Sequence, residues 1–476
     1  MQLYGIVREN ITARTVHEPS SNEKTQIHGN GENGMERDII KKLQTWKDSR
    51  RRKPLILTGV RQCGKTYSIK EFGSKYFRSI VYLNFEENEH FKDIFDYDFD
   101  VQRIIKEIQT LMNVQIQPGK TLLVFDEIQE CPRAITSLKY FCEKLPELHV
   151  ICAGSLLGVA LRRENISFPV GKVNRLEMRP LCFREFIAAC GGRSMLEVLS
   201  EWEENRPLPE LYTAPMEKYL KSYFAVGGMP EAVKEWSESG NIAEVEAIQE
   251  EILRDYADDF SKHAPVSEIE KIRWIWDSVP QQLAKDNNKF VFSHVKSGKR
   301  GADLEGALHW LLDAGLIQKL ELVENVEVPL SSAADSTWFK IYMSDIGLLR
   351  KKSGLAFKSI MERDELYSKF KGALTENYVM NELISDNFKP YYWNSGNKAE
   401  IDFLIEDENK IIPIEVKAAD NTQAKSYRMF SKKYQPELGI RTSLKNYAIN
   451  EDDFTKTIHL PLYMLWSPLR GFGRGE

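Results

Sequence analysis

Residues 54–66 read Pro-Leu-Ile-Leu-Thr-Gly-Val-Arg-Gln-Cys-Gly-Lys-Thr. A short apolar run leads into eight residues, Gly59 to Thr66, that match G-x-x-x-x-G-K-[ST] without a gap. A helical pattern, IKEFGSKYF, follows at 69–77. Strand, glycine-rich bend and helix are the context in which this pattern binds phosphate. Glycines let the backbone wrap closely, so its N–H groups point at an anion. The helix amino terminus adds partial positive charge. The expected nucleotide-binding residues are Gly59, Val60, Arg61, Gln62, Cys63, Gly64, Lys65, Thr66 and Tyr67. Lys65 is expected to reach the β and γ phosphates of ATP, and the Thr66 hydroxyl to hold magnesium.

Downstream, TLLVFDEIQE places Asp126 and Glu127 at the carboxyl end of an apolar strand. Ligands of open α/β sheets bind at that edge. Asp126 suits the magnesium contact, and Glu127 suits the base that polarises an attacking water. A kinase needs no such base, since a substrate hydroxyl attacks instead, so the pair favours hydrolysis. The strand HVICAGS ends at Ser155, which either senses the γ-phosphate, holds the water, or is a turn serine. Arg61, Arg162, Arg163, Lys172 and Arg175 are candidates for a charge-stabilising finger, and the sequence does not choose among them.

Further strands are expected at SIVYLNF and VNRLEM. These runs are short, apolar and without alternation, as in a parallel sheet covered on both faces. A P-loop α/β sandwich over 35–179 follows. Residues 1–34 are polar and read as a flexible leader, with Met35 as the start of the folded unit. A helix with Ile39, Ile40, Leu43 and Trp46 on one face comes next. Residues 180–265 carry helical periodicity, broken at Gly227-Gly228, and read as a helical lid. Over 266–350 the order helix, strand FVFSHV, helix and two strands reads as a winged helix. Its second helix carries Asp303, Glu305 and Asp313, a face that phosphate repels, so a structural or protein-contact role is favoured over DNA reading. Lys296, Lys299 and Arg300, just before it, could touch a nucleic-acid backbone. Residues 351–476 read as an α+β unit, and the whole as a multidomain α/β chain.

Composition bounds the rest. The 476 residues are 42% hydrophobic and 28% charged with net charge −5, which excludes a generally basic nucleic-acid coat. No apolar run reaches the roughly 18 residues of a membrane span. The six cysteines lack C-x-x-C spacing, and the histidines form no zinc-ligand pair, so a reducing cytoplasm is the expected home.

Segments from Met35 to about Leu469 resemble a prokaryotic family of AAA-type ATPases fused to a conserved carboxy-terminal domain of unknown function. They include GVRQCGKT, VFDEIQECP, YFAVGGMPEAV, YMSDIGLL, KGALTENYV, AEIDFLI and PIEVKAA. The resemblance implies ATP binding and hydrolysis, followed by a winged helix and a restriction-endonuclease-like domain. In that last unit Glu376, Asp402, Glu415 and Lys417 form the E…D…ExK arrangement of the PD-(D/E)xK nuclease fold, with Ile401 where proline usually precedes the aspartate. Glu415 and Lys417 share one strand face. A carboxylate pair can hold a second divalent cation, and a lysine beside it can stabilise a phosphate. Two readings stand: an ATPase that works on DNA or RNA with a nuclease-like tail, or a nucleotide-controlled switch whose tail is catalytically dead and binds a protein partner.

Overall fold

The computed structural model describes residues 35–155, 157–159, 167–202, 206–285, 289–362, 365–396, 398–417, 425–451 and 454–466. The expected leader and the finger candidates Arg162 and Arg163 lie outside the described residues.

Strands β1 (Leu55–Gly59), β2 (Ser79–Asn84), β3 (Thr121–Asp126), β4 (His149–Ala153) and β5 (Asn174–Met178) form a parallel sheet in the order β2-β3-β4-β1-β5. Every residue of β3 and β4 is buried, which is why these runs are apolar throughout. The Asp38–Asp48 helix buries Ile39, Leu43 and Trp46, the face its periodicity marks. Helices dominate from Phe183 to His263, with a break at Gly227-Gly228 between Glu210–Val226 and Pro230–Ser239.

The next region departs from expectation in two places. FVFSHV is a short helix, Phe292–Val295, rather than a strand. Its aromatics pack on Phe339 of a neighbouring strand without forming a ladder, and only the Phe290 N–H bonds β-strand backbone. A four-residue alternation is too short to separate the two states. Secondly, the hairpin of β6 (Ile317–Val323) and β7 (Ala334–Met343) is not a free wing. Strand β6 pairs in parallel with β8 (Tyr391–Asn394). With β9 (Glu400–Asp407), β10 (Lys410–Val416), β11 (Leu438–Ser443), β12 (Ala448–Glu451) and β13 (Lys456–Pro461) they build one eight-stranded mixed sheet, in the order β12-β13-β11-β10-β9-β8-β6-β7.

The Glu365–Ser385 helix joins this sheet to the first unit. Phe183 and Tyr378 meet edge to face, Arg184 pairs with Asp386, and the buried Glu382 accepts from the Phe183 N–H. One hydrophobic core runs from Leu57 beside the P-loop through Ile272 and Leu311 to Ile414. Among the described residues the cysteines are free thiols, and no helix is long and apolar enough to cross a membrane.

Candidate active site

The P-loop turns on two glycines. Gly59 has φ +151 and lies so close to the Met178 carbonyl that a Cβ would collide with it. Gly64 caps the Lys65–Tyr76 helix at φ 93. Val60 and Cys63 point into the core and offer only backbone to the loop's concave side, while Tyr67 is exposed on the first helical turn. The Lys65 ammonium, 7% exposed, donates to the carbonyls of Gly59 (2.8 Å) and Val60 (2.9 Å).

Strand β4 separates β1 from β3, and all three end at the same sheet edge. There the Thr66 hydroxyl donates to Asp126 Oδ2 at 2.8 Å. The Tyr82 hydroxyl, from β2, donates to the same oxygen. Burial, together with that bond, raises the Tyr82 pKa, so the phenol stays a donor. Asp126 is 2% exposed. Glu127 follows in the left-handed region, φ 49, turning the chain into the Ile128–Glu130 helix. The Gln129 amide donates to Glu127 Oε2 at 2.6 Å, and its oxygen lies against Gly154. Burial raises the Glu127 pKa, with Asp126 adding to the effect against the opposing Gln129 bond. Ser155 is buried just beyond the end of β4.

The structure therefore gathers Lys65, Thr66, Asp126, Glu127 and Ser155 at one edge. It treats the finger candidates differently. The Arg61 guanidinium is paired with Asp259, and Gln62 donates to Asp255 at 2.6 Å. Both partners sit on the Ile242–His263 helix, whose Tyr256 hydroxyl also bonds the Arg61 carbonyl (3.0 Å). Lys172 precedes β5 at the far end of the sheet and pairs with Glu143, and Arg175 stacks over Phe168 mid-strand. Neither reaches the P-loop.

Sequence reading missed Arg37. It is buried and donates to the carbonyls of Cys63 (3.0 Å) and Arg179 (2.6 Å) and to Glu185 (3.0 Å). Burial opposes its charge, but Glu185 more than offsets this, so its pKa is raised. Met178, Pro230 and Arg37 line the open side of Gly64. Gly228, two residues before Pro230, is held by Asp345 (2.6 Å) and by Leu181 (2.7 Å). The motifs around Gly228 and Asp345 thus shape one wall of the loop.

In the carboxy-terminal sheet, Asp402 on β9 accepts from the Val416 N–H on β10 at 2.7 Å. The Lys340 ammonium, 1% exposed on β7, lies 2.7 Å from Glu400 and 3.6 Å from Glu376. Tyr342 donates to Glu376 at 3.0 Å. Burial and the neighbouring Glu376 push the Asp402 carboxyl up to about 7, against the pull of Lys340. Glu415 is clamped by Lys417 (2.9 Å) and Arg441 (3.0 Å). Glu376, Asp402, Glu415 and Lys417 are thus brought into one region, but with Lys340, Glu400 and Arg441 among them. No group of three or more His, Cys, Asp or Glu among the described residues is placed to hold a metal ion. Sequence reading missed Lys340, whose one signal is a lysine within the apolar run Trp-Phe-Lys-Ile-Tyr.

Three family models match the chain. That described as "AAA domain" covers residues 51–187. The glycine-lysine loop and all five strands of the parallel sheet fall within that matched stretch. Residues 217–359 and 371–463 match two domains of unknown function, DUF8612 and DUF4143. No curated protein matches the sequence. Among solved structures, the Walker-type ATPase PABY2304 of Pyrococcus abyssi is 15% identical, covers 67% of this chain and 95% of its own, and has a TM-score of 0.42. The Aeropyrum pernix ORC1 protein in complex with DNA is 13% identical with coverage of 68% and 92% and a TM-score of 0.28. The ORC2 protein of the same organism, in ADPNP and ADP complexes, is 13% identical with coverage of 68% and 93% and a TM-score of 0.35.

Proposed function

We propose that this chain hydrolyses ATP with magnesium at the edge where β1 and β3 end. The observation that carries the reading is the direct contact of Thr66 with Asp126, beside a buried Lys65 whose donors face only loop carbonyls. A hydroxyl and a carboxylate from two different elements converge on one small space, as a hard cation with oxygen ligands requires. Thr66 and Asp126 would hold magnesium, which supplies charge neutralisation on the phosphate oxygens. Lys65 would exchange its carbonyl partners for phosphate oxygens. Glu127, held by Gln129, would accept the proton of the attacking water, and Ser155 would orient that water. Lys65→Ala should abolish most nucleotide affinity, and Glu127→Gln should retain binding while turnover falls about 100-fold or more. Calorimetry with ATP and a phosphate-release assay read the two effects. Undiminished binding in the first variant or normal turnover in the second would remove the proposal.

We read this turnover as serving work on nucleic acid; support comes from a strip of cations without carboxylate partners at the edge strand β7. For the tail, the charge pattern favours a nuclease-like core without cleavage. Lys340 is a buried cation among the carboxylates that a divalent ion would need, and both Glu415 oxygens are already paired. A second divalent cation is not required to neutralise this cluster. Manganese-dependent cleavage of single-stranded, branched or duplex DNA or RNA, lost in Lys417→Ala, would reverse this reading.

A further inference from the structure

The end strand of the eight-stranded sheet carries an irregularity in its pairing. Strand β7 pairs with β6 through Phe339↔Glu321 and then Asp335↔Leu322, so Ser336, Thr337 and Trp338 bulge from the ladder. Strand β7 is an edge, and the bulge displays Trp338 with 52% of its surface in water. Bulges at sheet edges re-aim side chains. An exposed indole gains nothing from burial where it stands.

A cation-rich stretch packs against the same edge, with Lys289 beside Trp338 and Lys296 5.0 Å from the Trp274 ring centre. The stretch 289–300, KFVFSHVKSGKR, has Lys289, Lys296, Lys299 and Arg300 and no acidic residue, in a chain of net charge −5. The stretch is anchored to the same edge. The Phe290 N–H bonds the Phe339 carbonyl, Phe290 and Phe292 pack on Phe339, and Gly301 abuts the Phe292 ring. Lys289 Nζ lies 5.7 Å from the Trp338 ring centre. Among the described residues none of the four cations has a carboxylate side-chain partner. Asp303 accepts from the Arg300 N–H, Asp335 from Thr337, and Glu321 from Lys319. The helix Gly301–Asp313 shows Asp303 and Glu305 to solvent, so it does not read a duplex groove.

We infer that this strip binds single-stranded nucleic acid, its cations following the phosphates and Trp338 stacking on an unpaired base. A duplex hides its base faces, and only a single strand satisfies both features. The inference deepens the nucleic-acid reading above, which draws its support from this same strip, and names the form of nucleic acid. The Lys289–Arg300 stretch and the bulge lie at the edge of the mixed sheet and contain no residue of the ATP site.

The test is fluorescence anisotropy of the full chain with a labelled single strand of about 20 nucleotides, as DNA and as RNA of one sequence, and with the matching duplex. Single strands should bind with a log-affinity against log-salt slope of about −3, from four phosphate contacts. Lys289→Glu/Lys296→Glu/Lys299→Glu should weaken this at least about tenfold and flatten the slope. Trp338→Ala should weaken single strands about fivefold or more and the duplex little, while Trp338→Tyr, which keeps a stacking ring, should bind as wild type. Preference between the DNA and RNA arms identifies the strand. Lys65→Ala should lose ATP turnover and bind the strand normally, which separates this surface from the nucleotide reading. Absence of single-strand binding at low salt, wild-type binding by the charge-reversed variant, or equal losses for strand and duplex in Trp338→Ala would overturn the inference. Loss of binding in Lys65→Ala alone would place the strand at the P-loop and overturn it as well.

Discussion

Gln129 shows how one side chain sets the working of another. Its amide holds Glu127 at 2.6 Å while the backbone at Glu127 sits in the left-handed region. A carboxylate that must receive a proton needs a fixed direction more than a strong charge. Gln129→Ala should therefore lower kcat about tenfold with KM for ATP unchanged, less than the loss in Glu127→Gln. Steady-state kinetics on both variants check this; a matching rise in KM would assign Gln129 to binding instead. The raised pKa of Glu127 also carries a pH signature. The base works only when deprotonated, so turnover should rise with pH through a range above that of ordinary carboxylates. That acid limb should vanish from the residual activity of Glu127→Gln.

At the scale of elements, the Ile242–His263 helix is the part that changes how the P-loop is understood. Three of its side chains, Asp255, Tyr256 and Asp259, grip Arg61 and Gln62. Burial raises the Asp259 pKa, and Arg61 opposes that rise. On the proposed function, a phosphate entering the loop would compete with Asp259 for the Arg61 guanidinium. Asp259→Asn should tighten ATP binding roughly threefold to tenfold, about 1 kcal/mol, since the pair is partly exposed. Titration with a fluorescent nucleotide measures it, and the gain should disappear in Asp259→Asn/Arg61→Ala. Periodicity announces this helix, but the face that touches the loop depends on a partner 193 to 198 residues away, which no local pattern encodes. The same limit applies to FVFSHV, where Phe290 and Phe292 have strand spacing but pack on Phe339 at the start of a short helix.

For the whole molecule, the joint between the first sheet and the mixed sheet buries a carboxylate. Glu382 accepts from the Phe183 N–H, and burial pushes its carboxyl up to about 8. Asp345, beside Gly228, is likewise pushed up by burial, to about 6. A carboxyl whose pKa is higher folded than unfolded binds more protons in the native state, so stability falls as pH rises between the two values. For Glu382 that window runs from about 4.5 to about 8. Melting temperature should accordingly fall from about pH 6 to about pH 8. Glu382→Gln keeps the acceptor and removes the titration, so it should melt higher than wild type near the top of that window and match it more closely near the bottom. Equal pH dependence in both proteins would show that Glu382 does not couple the two units.

The local order of residues alone determined the parallel sheet, the phosphate loop and the acidic strand end, because each is written in consecutive residues. Apolar runs specify buried strands, and glycines mark where the backbone must bend beyond what a side chain allows. Tertiary structure alone decided which cation meets which carboxylate. Lys340 reaches Glu400 across 60 residues of chain, Arg37 reaches Glu185 across 148, and Arg61 reaches Asp259 across 198. Coulomb attraction acts through space and not along the chain, so these pairings exist only once the core has brought their elements together.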